Sequence, residues 1–185
     1  MIIELYKTTR TVFTLADLAM LMPEANSRWL AQNANYYVRK GELLNPRKGI
    51  YALPDYNPEE LACIIYAPSY LSLEYVLQKG GVIFQYDTRY TCISYLSRTV
   101  EADGKTYSYR KIKGEIMIDT RGIKREGNGV NIATPERAFL DTLYLNKDFY
   151  FDNLNPLDRQ LVTKTLPAYG SAALEKRVKK LLGNG

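Results

Sequence analysis

The 185-residue chain contains no histidine. That absence removes every scheme built on an imidazole, including Ser-His-Asp and Cys-His catalysis and the histidine-bound metals. Chemistry through carboxylates, lysine or tyrosine stays open in principle, but the chain reads as a non-enzyme with no cofactor and no metal. Cysteine is nearly absent: Cys63 and Cys92 are the two, and both sit in apolar segments. Two cysteines make neither a disulfide framework nor a four-ligand zinc site. Both read as reduced core residues of a cytoplasmic protein. No window holds 18 consecutive apolar residues, so neither a transmembrane helix nor a membrane partner is expected. Met1 to Arg10 lacks the basic head, apolar stretch and small-residue cleavage site of a secretory signal. No internal repeat or low-complexity segment is present.

What remains is an ordinary globular composition, 46% apolar and 24% charged, enough to build a core. The net charge of +5 is mild, but it is unevenly placed. Residues 26–50 carry Arg28, Arg39, Lys40, Arg47 and Lys48 against Glu42 alone, and the last turns carry Lys176, Arg177, Lys179 and Lys180 against Glu175. The sixteen tyrosines are scattered without a period.

The basic stretch falls on a recognisable order of elements. Thr14-Leu-Ala-Asp has the spacing of a capping box, and Leu15, Leu18, Ala19 and Met22 follow on one helical stripe until Pro23. A second helix, capped by Asn26 or Ser27, runs to about Lys40, with Gly41 as its stop. Leu30, Ala34, Tyr37 and Val38 share one face; Arg28, Gln32, Asn35 and Arg39 recur on the other at i, i+4, i+7 and i+11. Leu43-Leu44 and Gly49 to Leu53 then flank Asn45-Pro46-Arg47-Lys48, a ribbon with a basic tip. Helix, turn, helix and basic hairpin is the order of a winged helix-turn-helix.

The expected fold class is α+β, with a winged helix over 1–55 and an α+β domain with a central β-hairpin over 56–185. Leu53-Pro54-Asp55-Tyr56-Asn57-Pro58 reads as the linker. Beyond it the sequence predicts a helix from Pro58 to about Tyr66, and another from Ser69 or Ser72 to Lys79. A strand is expected at Val82 to Tyr86. A hairpin should pair 91–97 with 106–112 through Asp103-Gly104, with strands at Ile116 to Ile118 and Val130 to Ala133. Arg121, Lys124 and Arg125 fall in a basic, glycine-containing loop between those last two. Thr134-Pro135 opens a helix to about Tyr144, and the tail from Pro156 is helical with a break near 167–170.

Residues 11–53 resemble the N-terminal winged helix of the AbiEi-type abortive-infection antitoxins of type IV toxin–antitoxin pairs. The residues that carry this are Thr14-Leu-Ala-Asp-Leu-Ala, Trp29-Leu30, Lys40-Gly41-Glu42-Leu43 and Lys48-Gly49-Ile50-Tyr51-Ala52-Leu53. Pro68 to Leu77 resembles that family's Tyr-Leu-Ser helix, and Ala133 to Asp141 its later helix start. The three blocks span about 11–145; the tail after Asn146 lies outside them. The resemblance implies a DNA-binding repressor of its own operon whose C-terminal domain serves to neutralise a nucleotidyltransferase-like toxin encoded alongside. The chain does not resemble that toxin. Such transferases need closely spaced metal-binding acids, and the two carboxylates so spaced here, Glu101 and Asp103, sit at a hairpin tip.

The expected partner is therefore double-stranded DNA, the chain's own operator, with a functional link to the toxin. Arg can fork onto guanine and Asn or Gln onto adenine. Asn26, Ser27, Arg28 and Gln32 are expected nearest the bases, because the N-terminal end of a recognition helix enters the groove. Asn35 and Arg39 continue that face, Tyr36 can reach a phosphate, and Arg47 and Lys48 are expected on phosphates at the wing. The plain alternative is a solvated helix face, yet this stripe lacks the acids such faces mix in. The rival function is a partner module that uses the winged helix for protein contact. Trp29 and Tyr37 are expected in the core, the Arg121–Arg125 loop and Lys176 to Lys180 at the surface, and Arg137 in an i, i+4 pair with Asp141.

Overall fold

The computed structural model describes residues 1–183. A short helix, α1 (Ile2–Tyr6), leads into a strand, β1 (Val12–Thr14), and then α2 (Leu15–Leu21). Thr14 ends the strand and caps the helix. Its Oγ1 accepts the Asp17 N–H at 3.2 Å, and the Asp17 carboxylate accepts the Thr14 N–H at 2.7 Å. After Pro23, α3 (Ser27–Arg39) starts at Asn26, whose Oδ1 accepts the Trp29 N–H at 2.9 Å. Gly41, at φ 74°, closes α3 in the left-handed region that a side chain would resist. β2 (Leu44–Arg47) and β3 (Ile50–Ala52) complete an antiparallel sheet ordered β1-β3-β2. The sequence did not reveal β1, which is three residues long and directly abuts a helix.

The two faces of this small sheet go to different cores, as a period of two requires. Phe13 and Tyr51 pack with Leu5, Leu18, Leu30, Ala34, Leu43 and Leu53. Val12, Ile50 and Ala52 pack instead into the larger core of the rest of the chain. The segment expected as a linker is tightly bound. Leu53 and Tyr56 are buried, the Leu53 N–H donates to the Thr11 carbonyl at 2.9 Å, and the Asn57 N–H donates to Thr11 Oγ1 at 2.8 Å. Proline and Asn-Asp chemistry marked a change of direction, which is compatible with slack or with close packing.

The remaining elements are α4 (Pro58–Ile65), β4 (Ser69–Leu71), α5 (Leu73–Lys79), β5 (Tyr90–Ser94), β6 (Arg98–Ala102), β7 (Lys105–Lys111), α6 (Gly114–Ile118), β8 (Ile123–Arg125), β9 (Asn131–Ala133), α7 (Pro135–Leu145), α8 (Arg159–Thr165), a 3-10 turn (Leu166–Tyr169) and α9 (Ala172–Leu182). Six strands form a mixed sheet ordered β6-β7-β5-β4-β9-β8, with β5/β7 and β4/β9 parallel. The fold is α+β.

Several expectations change here. Asp103 and Gly104 do turn a hairpin, at φ 49° and 68°, but a two-residue turn joins the strands that flank it directly. Those are β6 and β7, while the more β-rich Thr91 stretch lies parallel on the other side of β7. The hairpin therefore sits at the sheet's edge rather than its centre. Ser69 to Leu71 is a strand and only Leu73 onward is helix, so the resemblance block there spans two elements. Val82 to Tyr86 is no strand: the Val82 N–H turns back to the Leu77 carbonyl, and the Phe84 N–H donates to Asp152. Ile116 to Ile118 belongs to α6, with only Ile116 buried. The basic loop contains strand β8, and Arg121 is paired with Asp119.

One buried network holds α7 to the sheet. Arg137, 0% exposed, donates to the carbonyls of Ile116, Asp119 and Arg121, to Asp141 and to the Tyr70 hydroxyl. Asp141 also accepts from the hydroxyls of Ser72, Tyr70 and Tyr169. Gly122 lets this happen: a Cβ there would lie 2.8 Å from the Arg137 Cβ.

Candidate nucleic-acid interface

α3 divides cleanly into two faces. Leu30 and Ala34 are buried, and Tyr37 and Val38 pack against the same core. Arg28, Gln32, Asn35 and Arg39 are all exposed on the opposite face. Eleven residues of helical rise place Arg28 and Arg39 roughly 16 Å apart along the axis. Among the described residues, neither arginine makes an ion pair, and no acid occupies the first turn of α3. Helix starts ordinarily favour carboxylates; here the first turn has none and Arg28 is unpaired, while Glu4 and Glu24 lie in the groove beside the Asn26 cap.

The flanking groups are placed less uniformly. Asn26 spends its side-chain oxygen on the cap, leaving its amide N–H groups for a ligand. Ser27 is exposed at the first helical position. Tyr36 is 43% exposed, stands edge-on to Tyr37 at 5.4 Å, and carries the Lys40 ammonium 4.9 Å from its ring centre. Tyr36 first, and also the Glu42 carboxylate 4.0 Å away, raise Lys40 above the ordinary lysine value.

The sequence put Arg47 and Lys48 together at the hairpin tip; the structure separates them. The turn is Lys48-Gly49, with Gly49 at φ 79°, and Lys48 is exposed without an ion pair among the described residues. Arg47 belongs to β2 and folds back: its Nη2 donates to the Tyr66 hydroxyl at 3.3 Å, and its guanidinium lies 5.2 Å from that ring centre. It remains half-exposed.

Trp29 departs from expectation. It is 43% exposed, one position off the buried stripe, and lines a shallow groove with Met1, Met22, Pro23 and Ala25, with Glu4 and Glu24 at its sides. Tyr37 packs as expected. Cys63 and Cys92 are both buried free thiols; burial pushes Cys63 up to about 11 and Cys92 upward as well. No group of three His, Cys, Asp or Glu side chains is arranged to hold a metal among the described residues, and none of their helices is long and apolar enough to cross a membrane. No protein-family model matches this chain, and no curated protein matches it.

Proposed function

We propose that residues 1–55 act as a winged helix-turn-helix, with α3 as the recognition helix and the β2–β3 hairpin as the wing. The chain would be a sequence-specific transcriptional repressor and the antitoxin of a type IV pair, without catalysis. The observation that carries this reading is the acid-free exposed stripe of α3, whose arginines make no ion pair among the described residues, together with an unpaired Lys48 at the hairpin turn. An α-helix fits the major groove of B-DNA, and such a stripe presents fork-shaped donors and amides to it. The antitoxin half rests on the three resemblance blocks, and it assigns neutralisation to the portion after residue 55.

A second reading, a partner module without DNA, is favoured by Trp29, since exposed tryptophan beside apolar groove residues suits protein contact. One experiment separates the two. The chain is expressed with a reporter driven by its own upstream region, alone and with the neighbouring toxin gene. Repression of the reporter together with rescued growth is expected. No repression removes the regulator reading, repression without rescue removes the antitoxin half, and rescue without repression favours the partner module.

A further inference from the structure

The edge hairpin of the large sheet carries a second set of unpaired cations, and its register says where they lie. Tyr109 on β7 faces α4, because its hydroxyl donates to the Ala62 carbonyl at 2.7 Å. Arg98 on β6 is the antiparallel partner of Tyr109, and directly opposed residues project to the same side. Lys111 lies two residues beyond Tyr109 and so shares that side. Lys113 follows at the start of α6. All three are exposed, and none makes an ion pair among the described residues. Segments 94–100 and 105–114 contain no acid; Glu101 and Asp103 lie at the far end of the hairpin, and Glu115 follows Lys113 in the first turn of α6.

This end of the sheet is joined to the hairpin of the first unit. The Tyr66 ring stands edge-on to Tyr109 at 5.0 Å, and Arg47 lies over Tyr66 at 5.2 Å. Ser94, the parallel partner of Lys111, donates to the Tyr66 carbonyl at 3.4 Å and the Pro68 carbonyl at 3.3 Å. Interior contacts therefore tie Arg47 of β2 through Tyr66 to the buried Tyr109, the strand partner of Arg98.

We propose that Arg98, Lys111 and Lys113 form a phosphate-tracking strip that extends the footprint of the same duplex beyond the wing. The proposal rests on the reading of α3 and the hairpin given above. Three exposed cations without ion pairs, against the single nearby acid Glu115, two of them on a sheet edge packed onto the Tyr66 that Arg47 also contacts, suit a phosphate backbone. They carry no base-reading geometry, so the strip adds affinity and length of contact, not sequence choice. Edge-strand cations also discourage strand pairing, but that role needs no continuity with the wing. The strip escaped the sequence reading because its members are brought together by β6/β7 register, which the sequence reading misassigned.

The test uses the full chain and the variant Arg98→Gln/Lys111→Gln/Lys113→Gln, titrated by fluorescence anisotropy onto a long duplex of the native upstream region at several salt concentrations. Each lost phosphate contact lowers the slope of log K against log salt by about 0.9. The variant is expected to lose about 2 to 3 in slope and to weaken equally on native and random duplex. Lys113→Gln alone, outside the strand ladder, is expected to lose about 0.9 and guards against a misfolded triple variant. Unchanged slopes in a wild type that binds would overturn the strip and leave α3 standing. A slope that holds while toxin rescue is lost would assign the strip to a protein partner and also overturn it. A wild type that binds no duplex would overturn the reading of α3 and the strip with it.

Discussion

Arg137 carries five N–H donors, and all five have acceptors although the side chain is fully buried. Burial pushes the Asp141 carboxyl up, while Arg137 and the three hydroxyls pull it back toward ionisation. Removing one partner of such a pair leaves an uncompensated buried charge, which costs about 3–5 kcal/mol. Arg137→Met should therefore lower the free energy of unfolding by about that amount, measured by urea denaturation. A loss near the few tenths of an exposed helix pair would mean that the network is not closed. The i, i+4 spacing of Arg137 and Asp141 was legible from sequence, but the network was not. Its hydroxyls come from Tyr70, 67 residues away from Arg137, and from Ser72 and Tyr169 on other elements. The same limit applies at the candidate interface. The α3 stripe follows from a period of 3.6, whereas the diversion of Arg47 onto Tyr66 is a tertiary contact with no local signal.

Helix starts were the most readable elements because caps are local. Thr14, Asn26, Asn57 and Thr134 each accept a backbone N–H within their own first turn. Strand partners were the least readable, since periodicity marks a strand without naming its neighbour. The α2 cap also predicts an acid dependence. Burial raises the Asp17 carboxyl, but hydrogen bonds from Arg10 and Thr14 outweigh it and hold the group below its ordinary 3.8. A depressed carboxyl contributes stability above the unfolded value and loses it as pH falls through the folded one. Asp17→Asn should thus be less stable than wild type at neutral pH by about 1 kcal/mol, with the difference closing as pH drops well below 3.8. Equilibrium unfolding at pH 7 and in strong acid checks this; a gap that stays constant would show that the charge is not what the cap uses.

At the scale of the whole molecule the small sheet is a shared wall. Val12, Ile50 and Ala52 belong to one core, Phe13 and Tyr51 to the other. Glu60 of α4 fastens that wall, with Oε2 accepting the N–H groups of Thr11 at 2.7 Å and Val12 at 3.0 Å. Composition suggested two parts joined by a linker; the alternation within three-residue strands was too short to reveal that they are built against each other. For the proposed function this matters, because a recognition helix on a fixed base can present its stripe and the hairpin in one geometry.

The central claim is that α3 reads sequence and the hairpin holds phosphate. It is tested most directly by titrating Arg28→Ala and Lys48→Ala against the native upstream duplex and a random duplex of equal length, at matched salt. A base-reading arginine contributes on the order of 1–3 kcal/mol of discrimination, while a phosphate contact carries none. The account predicts that Arg28→Ala narrows the gap between native and random duplex by roughly tenfold, and that Lys48→Ala weakens both equally. Equal losses on both duplexes for Arg28→Ala, or no preference for the native duplex in the wild type, would contradict it.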